Sequence, residues 1–430
     1  MTKIELVFEN IKTWLLLLAM MFAVYSWPIR VYTGSKVAYF MMGLFLVMFM
    51  LSTVQKEDSF LFYLSTVKKE GSSLLYIYIA AVVVVGLLQF VIFGGGKYFW
   101  MAMVSYLVIP IICGRYVITS GQFDRLLLIF SFVAFPNFIG LIAQMYGYDS
   151  KLFVDEQTMT ASEIHVRYNS VLGGSWALAL VSIITALSGA YWLFVKQRFR
   201  IYNGMVFVLS LVCIYFSYAR RGYIVVVVGL IIILWGLYQQ KHQFHKMLYM
   251  APILVGFALL MMMIVSDFGT VVSRGTSIFD FYDPSNLLRV IRWVNTIETT
   301  LENPFIGIGF GKSGSIGRDP AYVDMGDVDY LAADSYFLQI AMEGGILLGI
   351  IFTLTLFYVA FTSMKLLRQD KRLLLSWSIM ICFMIESLTG GSIGGPHTAI
   401  VFWLAFGLNS KQFGKKSKFI TVSSSRDGAS

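Results

Sequence analysis

Long apolar runs separated by short polar turns make up most of the chain, and two polar stretches are far longer than the rest. A bilayer crossing by an α-helix takes about 20 mostly apolar residues. On that measure the pattern predicts an all-α polytopic membrane protein with about 12 transmembrane helices. They are expected near residues 11–27, 36–54, 73–93, 99–118, 126–146, 171–195, 202–219, 222–238, 247–265, 335–362, 373–389 and 396–410. Pro110, Pro136 and Pro252 fall inside these runs, which membrane helices tolerate when neighbours satisfy the freed backbone groups. The first apolar run is followed by Trp27-Pro28 rather than a small-residue cleavage site, so it reads as a retained span.

The whole of 1–430 reads as a single integral membrane domain, with outer loops at 147–170 and 266–334 and a polar tail at 411–430. Long ordered loops in a compact protein are usually functional. Inside the larger loop, Leu287–Leu301 has helical periodicity, with Val290, Trp293, Val294, Ile297 and Leu301 on one face. Arg289, Arg292 and Thr296 lie along the adjoining flank. The expected element is a helix lying across the membrane mouth, apolar side down, with two guanidinium groups above it. Asn303-Pro304 should end it, because the residue before proline disfavours the helical region. Gly307, Gly309 and Gly311 then permit a tight, closely approaching turn.

Composition agrees with the pattern: 58% of residues are hydrophobic and 13% charged, with a mean hydropathy of +0.74. A soluble fold cannot bury that much apolar surface. The net charge of +9 reflects topology rather than nucleic-acid binding. With both termini cytoplasmic, about 21 of the 33 Lys/Arg fall on the inner side, as the positive-inside rule requires. The outer loops are acidic instead, carrying Asp149, Asp155, Glu156 and Glu163 in one and Asp319, Asp324, Asp327 and Asp329 in the other. Cys113, Cys213 and Cys382 all lie in predicted spans, so neither a disulfide framework nor a metal site is expected.

Arginines on the outer face run against this bias. Arg167 precedes the sixth span, Arg220 and Arg221 sit in SYARRGY, and Arg289 and Arg292 lie on the loop helix. Charge near membrane depth is costly unless paired or functional, and guanidinium forks suit phosphate oxygens. Two readings are open: a lipid-linked diphosphate site, or ion pairs with the outer acids. Asp334-Ser335 stands where the tenth span begins; Ser335 is a natural helix cap, and Asp334 is a candidate general base. Glu343 lies inside that span, and an outer-loop arginine is its expected partner. Glu386 has similar status. His397 follows GGSIGGP as a polar cap or a supporting group, and His165 is a weaker candidate. GIGFGKSG looks like a nucleotide loop, but the P-loop needs four residues between its first glycine and the Gly-Lys pair. Here that place is held by Ile306, so no ATP site is expected.

Taken in order, SYARRGYIVVVVGL, Arg289-x-x-x-Trp293, the Asn303–Gly311 run NPFIGIGFG, Asp334-Ser335 and Glu343-Gly344 resemble the O-antigen ligase/polymerase superfamily of bacterial membrane glycosyltransferases. Arg167 with Tyr168, Asn169, Gly173 and Gly174 is similar to the family's arginine-and-glycine element. The resemblance runs from about Arg167 to Leu348; upstream of it only hydrophobicity matches. It implies an enzyme of the bacterial cytoplasmic (inner) membrane working at the outer, periplasmic face. Its substrates would be undecaprenyl-diphosphate-linked oligosaccharides, with Arg167, Arg221 and Arg289 holding the diphosphate. Ligases of the family carry His-Asn where this chain has Asp334-Ser335, and that departure favours a polymerase.

The resulting expectation is a polysaccharide repeat-unit polymerase making O-antigen, capsule or exopolysaccharide. It would transfer a growing glycan, with inversion, from undecaprenyl diphosphate to the terminal sugar of another lipid-linked unit. Asp334 would be catalytic. Arg167, Arg220, Arg221, Arg289 and Arg292 would bind diphosphate, with Trp293, Glu343 and His397 in support. No cofactor or metal is expected, since the diphosphate is already a good leaving group and arginines supply the electrostatics. Membrane lipids and a chain-length regulator protein are the expected partners besides the substrates, and nucleic acid is not one. The alternatives are a ligase onto lipid A core and, outside enzymes, a lipid-linked oligosaccharide flippase, which should carry its charges along a path through the spans.

Overall fold

A computed structural model describes residues 3–33, 35–54, 73–115, 119–148, 150–153, 156–159, 164–238, 284–313, 333–367, 373–395 and 397–410. Among these, five helices are long and apolar enough to cross a membrane: Leu74–Phe93, Ser120–Met145, Ser175–Lys196, Arg221–Tyr238 and Ile346–Lys365. A bent pair, Ile11–Val24 with Ser26–Thr33, makes a sixth if it is one span. Shorter apolar helices, Phe40–Phe49, Lys97–Cys113, Arg200–Phe216, Leu374–Glu386 and Ala399–Ser410, occupy further expected positions. The span expected at 247–265 lies outside the described residues; among the described residues, five or six full-length crossings plus shorter helices stand against the 12 spans expected.

One expected span is two helices. Residues 335–362 break at Gly345 into Tyr336–Gly344 and Ile346–Leu367. Gly345 has φ +89°, and a Cβ there would sit 2.5 Å from the Phe305 carbonyl oxygen. The break is held from outside by Ile346 N–H, which donates to the Pro304 carbonyl at 2.8 Å. Hydropathy cannot register it, because both halves are apolar.

The described residues divide into two compact units. The first comprises 1–20, 41–123 and 292–430, and the second comprises 21–40 and 124–291. The first unit is centred on aromatic packing, with Tyr78 against Phe352 at 5.3 Å and Tyr336 against both Phe352 (5.6 Å) and Tyr106 (6.0 Å). Tyr106 sits in a π-helical turn, Val104–Val108, inside the helical stretch 97–115. Such a turn shifts side-chain register by one residue and re-aims the side chains beyond it.

In the second unit the Ser175–Ala190 helix is buried almost all round. Small and hydroxyl residues let its neighbours approach. A Cβ on Gly189 would lie 3.0 Å from the Asn203 carbonyl oxygen, and Thr185 shares a 2.7 Å hydrogen bond with Ser210. The segment 147–170, expected as an outer loop, carries one element the periodicity did not predict, an antiparallel ribbon of Glu156–Met159 and Ile164–Arg167.

Candidate active site

The glycine-rich run after Pro304 folds around Glu343. The loop helix ends at Glu302, as the Asn303-Pro304 pair predicts, and Gly307, Gly309 and Gly311 all take positive φ (73°, 114° and 78°). In that left-handed region a side chain is strained, so glycine is the natural occupant. Contact adds a second reason: a Cβ on Gly307 would fall 2.5 Å from the Glu343 backbone, and one on Gly311 2.3 Å from the Tyr98 carbonyl oxygen. The loop is pinned by Ile308 N–H to the Met342 carbonyl (2.9 Å) and Gly309 N–H to the Glu343 carbonyl (3.2 Å). Gln89 braces it from the first long helix, accepting from Phe310 N–H at 2.8 Å and donating to the Ile306 and Glu343 carbonyls.

Turned this way, the loop presents its amides to a buried acid. Glu343 Oε2 accepts from Gly311 N–H at 3.0 Å and from the Tyr106 hydroxyl at 2.7 Å. Oε1 accepts from Ser313 N–H, the Ser313 hydroxyl and Gln339 Nε2. Two loop amides, of Gly311 and Ser313, thus converge on the carboxyl, while the Lys312 amide between them donates to the Gly309 carbonyl. The likeness of GIGFGKSG to a phosphate loop is therefore physically sound in part: the loop's amides do converge on an acidic group, and that group is the chain's own Glu343 carboxyl. This corrects the arginine partner expected for Glu343. A fully buried carboxylate needs several donors, and backbone amides with Tyr106, Ser313 and Gln339 supply them.

The loop helix runs over Pro284–Glu302. Its apolar positions face outward: Val290, Val294, Ile297 and Leu301 are all at least 40% exposed, while Thr296 is fully buried. Thr296 and Thr300 return their hydroxyls to the carbonyls one turn back, so the inward face carries no unsatisfied oxygen there. An exposed apolar stripe of this kind is the surface that a helix resting on lipid would present. Arg289 and Arg292, three residues apart, share a flank. Arg292 Nη1 meets Asp334 Oδ2 at 3.1 Å, in a pair about a quarter exposed. Trp293 is half-buried beside it.

Ser335 is the N-cap of the Tyr336–Gly344 helix, its hydroxyl accepting from Leu338 N–H at 3.5 Å. The next amide, of Tyr336, donates to the Ser387 and Gly390 carbonyls, tying this corner to the end of the Leu374–Glu386 helix. Glu386 is buried and accepts from Ser392 N–H at 3.2 Å. His397 is half-buried in the turn after it.

Arg167 and SYARRGY lie in the second unit, where backbone geometry joins them. Arg167 ends the ribbon. The following Tyr168 N–H donates to the Phe216 carbonyl at 3.4 Å, and the two rings stack edge to face at 6.1 Å. Phe216 ends one helix and Arg220 begins the next. The turn between them is fixed by the Tyr223 hydroxyl on the Tyr215 carbonyl at 2.6 Å. The backbone just after Arg167 is therefore tied to the end of the helix that precedes Arg220 and Arg221. Gly173, at φ +73°, is required by Trp27, whose ring atoms would lie 2.3 Å from an added Cβ.

Sequence reasoning missed Gln89, Tyr106, Ser313 and Gln339. The strongest signal was Gln89, a lone amide in an apolar run, since an intramembrane polar group calls for a partner.

These elements define a polytopic helical membrane protein in which a glycine loop, clasped on a buried glutamate, follows an arginine-bearing amphipathic helix. Residues 205–353 match the family model described as O-antigen ligase. Over this segment, the match supports the resemblance to the O-antigen ligase/polymerase superfamily of membrane glycosyltransferase-like enzymes. It spans Arg220, Arg221, Arg289, Arg292, Trp293, Asp334 and Glu343 and leaves out Arg167 and His397. No curated protein sequence matches the chain.

Proposed function

We propose that the protein is a polysaccharide repeat-unit polymerase of the bacterial cytoplasmic membrane, acting at the outer face. Its substrates would be glycans carried on undecaprenyl diphosphate. The observation that supports this most is the family match over 205–353, a segment that holds the loop helix, the glycine loop, Glu343 and the Asp334-Ser335 corner. Asp334-Ser335 replaces the His-Asn that the resemblance associates with ligases, and this favours polymerisation.

In the proposed reaction the terminal sugar hydroxyl of one lipid-linked unit attacks the anomeric carbon of another. The bond from that carbon to the diphosphate oxygen breaks, undecaprenyl diphosphate leaves with the electron pair, and the hydroxyl proton passes to Asp334. Single displacement inverts the anomeric centre. Charge developing on the leaving diphosphate is matched by guanidinium groups drawn from Arg167, Arg220, Arg221, Arg289 and Arg292. Arg292 holds Asp334 in one orientation at 3.1 Å, which suits a positioned base. Glu343 acts through the loop it anchors. Trp293 and His397 are supporting groups.

A second reading, a ligase moving finished glycan onto lipid A core, is favoured by the description of the matching family itself. Surface-polysaccharide gels from a deletion strain separate the readings. Loss of a polymerase leaves single repeats attached to the core; loss of a ligase leaves long polymer on its carrier and none on the core. Single units stranded on the inner leaflet would instead indicate a flippase and end the enzyme assignment.

A further inference from the structure

Beside the Glu343 clasp, within the same unit, lies a cavity of about 310 Å³. Phe93, Tyr98, Phe99 and Phe310 give it aromatic walls, and Lys97 and Lys312 supply two ammonium groups. Mostly apolar walls with a few convergent polar groups, at a volume near 300 Å³, describe a small-ligand site. None of Arg167, Arg221, Arg289 or Arg292 lines it.

The two lysines are held without being neutralised. Lys312 Nζ lies 4.1 Å from the centre of the Phe93 ring, and Lys97 Nζ 5.3 Å from that of Tyr98. An aromatic face positions an ammonium and leaves its charge intact. Among the described residues neither lysine has a carboxylate partner. Glu343, the buried acid of the neighbouring clasp, is engaged by Tyr106, Gln339 and the loop. The backbone nearby is bare as well: a Cβ on Gly94 or Gly96 would meet nothing within 4 Å. By the charge-derived orientation both segments stand at outer ends, where lysine runs against the positive-inside bias.

We propose that this cavity is a second anion site, one that takes the diphosphate of a polyprenyl carrier. The inference rests on the polymerase reading in one respect: joining two lipid-linked glycans brings two diphosphates to one protein, and the arginines account for one. Flexible ammonium groups serve as point-charge phosphate ligands. The free anion would satisfy the same chemistry, so the test carries both sources.

The full-length protein in nanodiscs of zwitterionic lipid is titrated with geranylgeranyl diphosphate and, separately, with inorganic diphosphate. The wild type is compared with Lys97→Gln/Lys312→Gln and with Arg221→Ala. The double variant should lose one of two binding equivalents for geranylgeranyl diphosphate, or bind it at least about tenfold more weakly. Loss confined to the lipid probe assigns the site to the carrier, and equal loss for inorganic diphosphate assigns it to the anion alone; either supports an anion site. Identical titrations of wild type and double variant, with the variant monodisperse, overturn it. If Arg221→Ala still makes long glycan, the arginine assignment fails while the lysine result stands independently.

Discussion

Glu343 and Gly311, 32 residues apart in the chain, are joined by a 3.0 Å hydrogen bond from the Gly311 amide to the Glu343 carboxylate. Two of the motifs behind the family resemblance, the glycine run and the Glu-Gly pair, are therefore the two halves of one clasp. Its position straight after the loop helix means that any change to it is felt at the helix end.

Removing the carboxylate should open that clasp. Glu343→Ala leaves the Tyr106 hydroxyl, the Gly311 amide and the Ser313 amide and hydroxyl without their acceptor. The expected cost is on the order of 3 kcal/mol, seen as a lower melting temperature of the purified protein, with glycan synthesis lost alongside it. Glu343→Gln keeps one acceptor oxygen and should lie between. A Glu343→Ala protein that melts like the wild type would show that the clasp contributes nothing.

The glycines should differ sharply in tolerance. Gly311→Ala places a methyl 2.3 Å from the Tyr98 carbonyl oxygen at φ +78°, whereas Gly43→Ala meets nothing within 4 Å. The first should cost more than about 1 kcal/mol, and the second should be close to neutral or slightly stabilising within its helix. Thermal melting of the two variants side by side checks the contrast, and equal stabilities would contradict the loop geometry.

Asp334 and Arg292 should behave in the opposite way to Glu343. Their pair is only about a quarter exposed, so breaking it should cost more than a surface ion pair but less than opening the clasp, on the order of 1 to 2 kcal/mol. Asp334→Asn should nevertheless cut glycan transfer by roughly 10²- to 10⁴-fold if Asp334 takes the proton. Full activity in Asp334→Asn would remove it from the chemistry and leave it a helix-end residue.

Much of the site was legible because local rules governed it. Asn303-Pro304 ended the loop helix, Ser335 capped the next one, and alternate glycines announced a tight turn. All three depend on backbone sterics within a few residues. The partner of Glu343 was not legible, since its ligands come from Tyr106 and from a loop whose amides have no sequence signature. Charge complementarity pointed to arginine, but burial favoured donors that carry no charge of their own to desolvate. The break at Gly345 was hidden for a different reason: hydropathy averages across a glycine, and the contact that forces the turn comes from Phe305 and Pro304. The lysine-lined cavity was invisible because Lys97 and Lys312 are far apart in the chain.

The inward face of the loop helix offers a separate test of its placement. Thr296 is fully buried and Ile297, beside it in sequence, is 45% exposed. Cysteine at 297 should react with a lipid-soluble maleimide, and cysteine at 296 should resist labelling until the protein is denatured. The reverse pattern would mean that the apolar stripe faces the protein.

The most direct measurement is reconstitution. Purified protein in liposomes receives only an undecaprenyl-diphosphate-linked repeat unit, and the lipid-linked products are resolved by length. The polymerase account predicts a ladder of longer glycans, one undecaprenyl diphosphate released per linkage, and no ladder with Arg221→Ala or Arg289→Ala. A chain that leaves the repeat units unextended but moves glycan onto added lipid A core would contradict it.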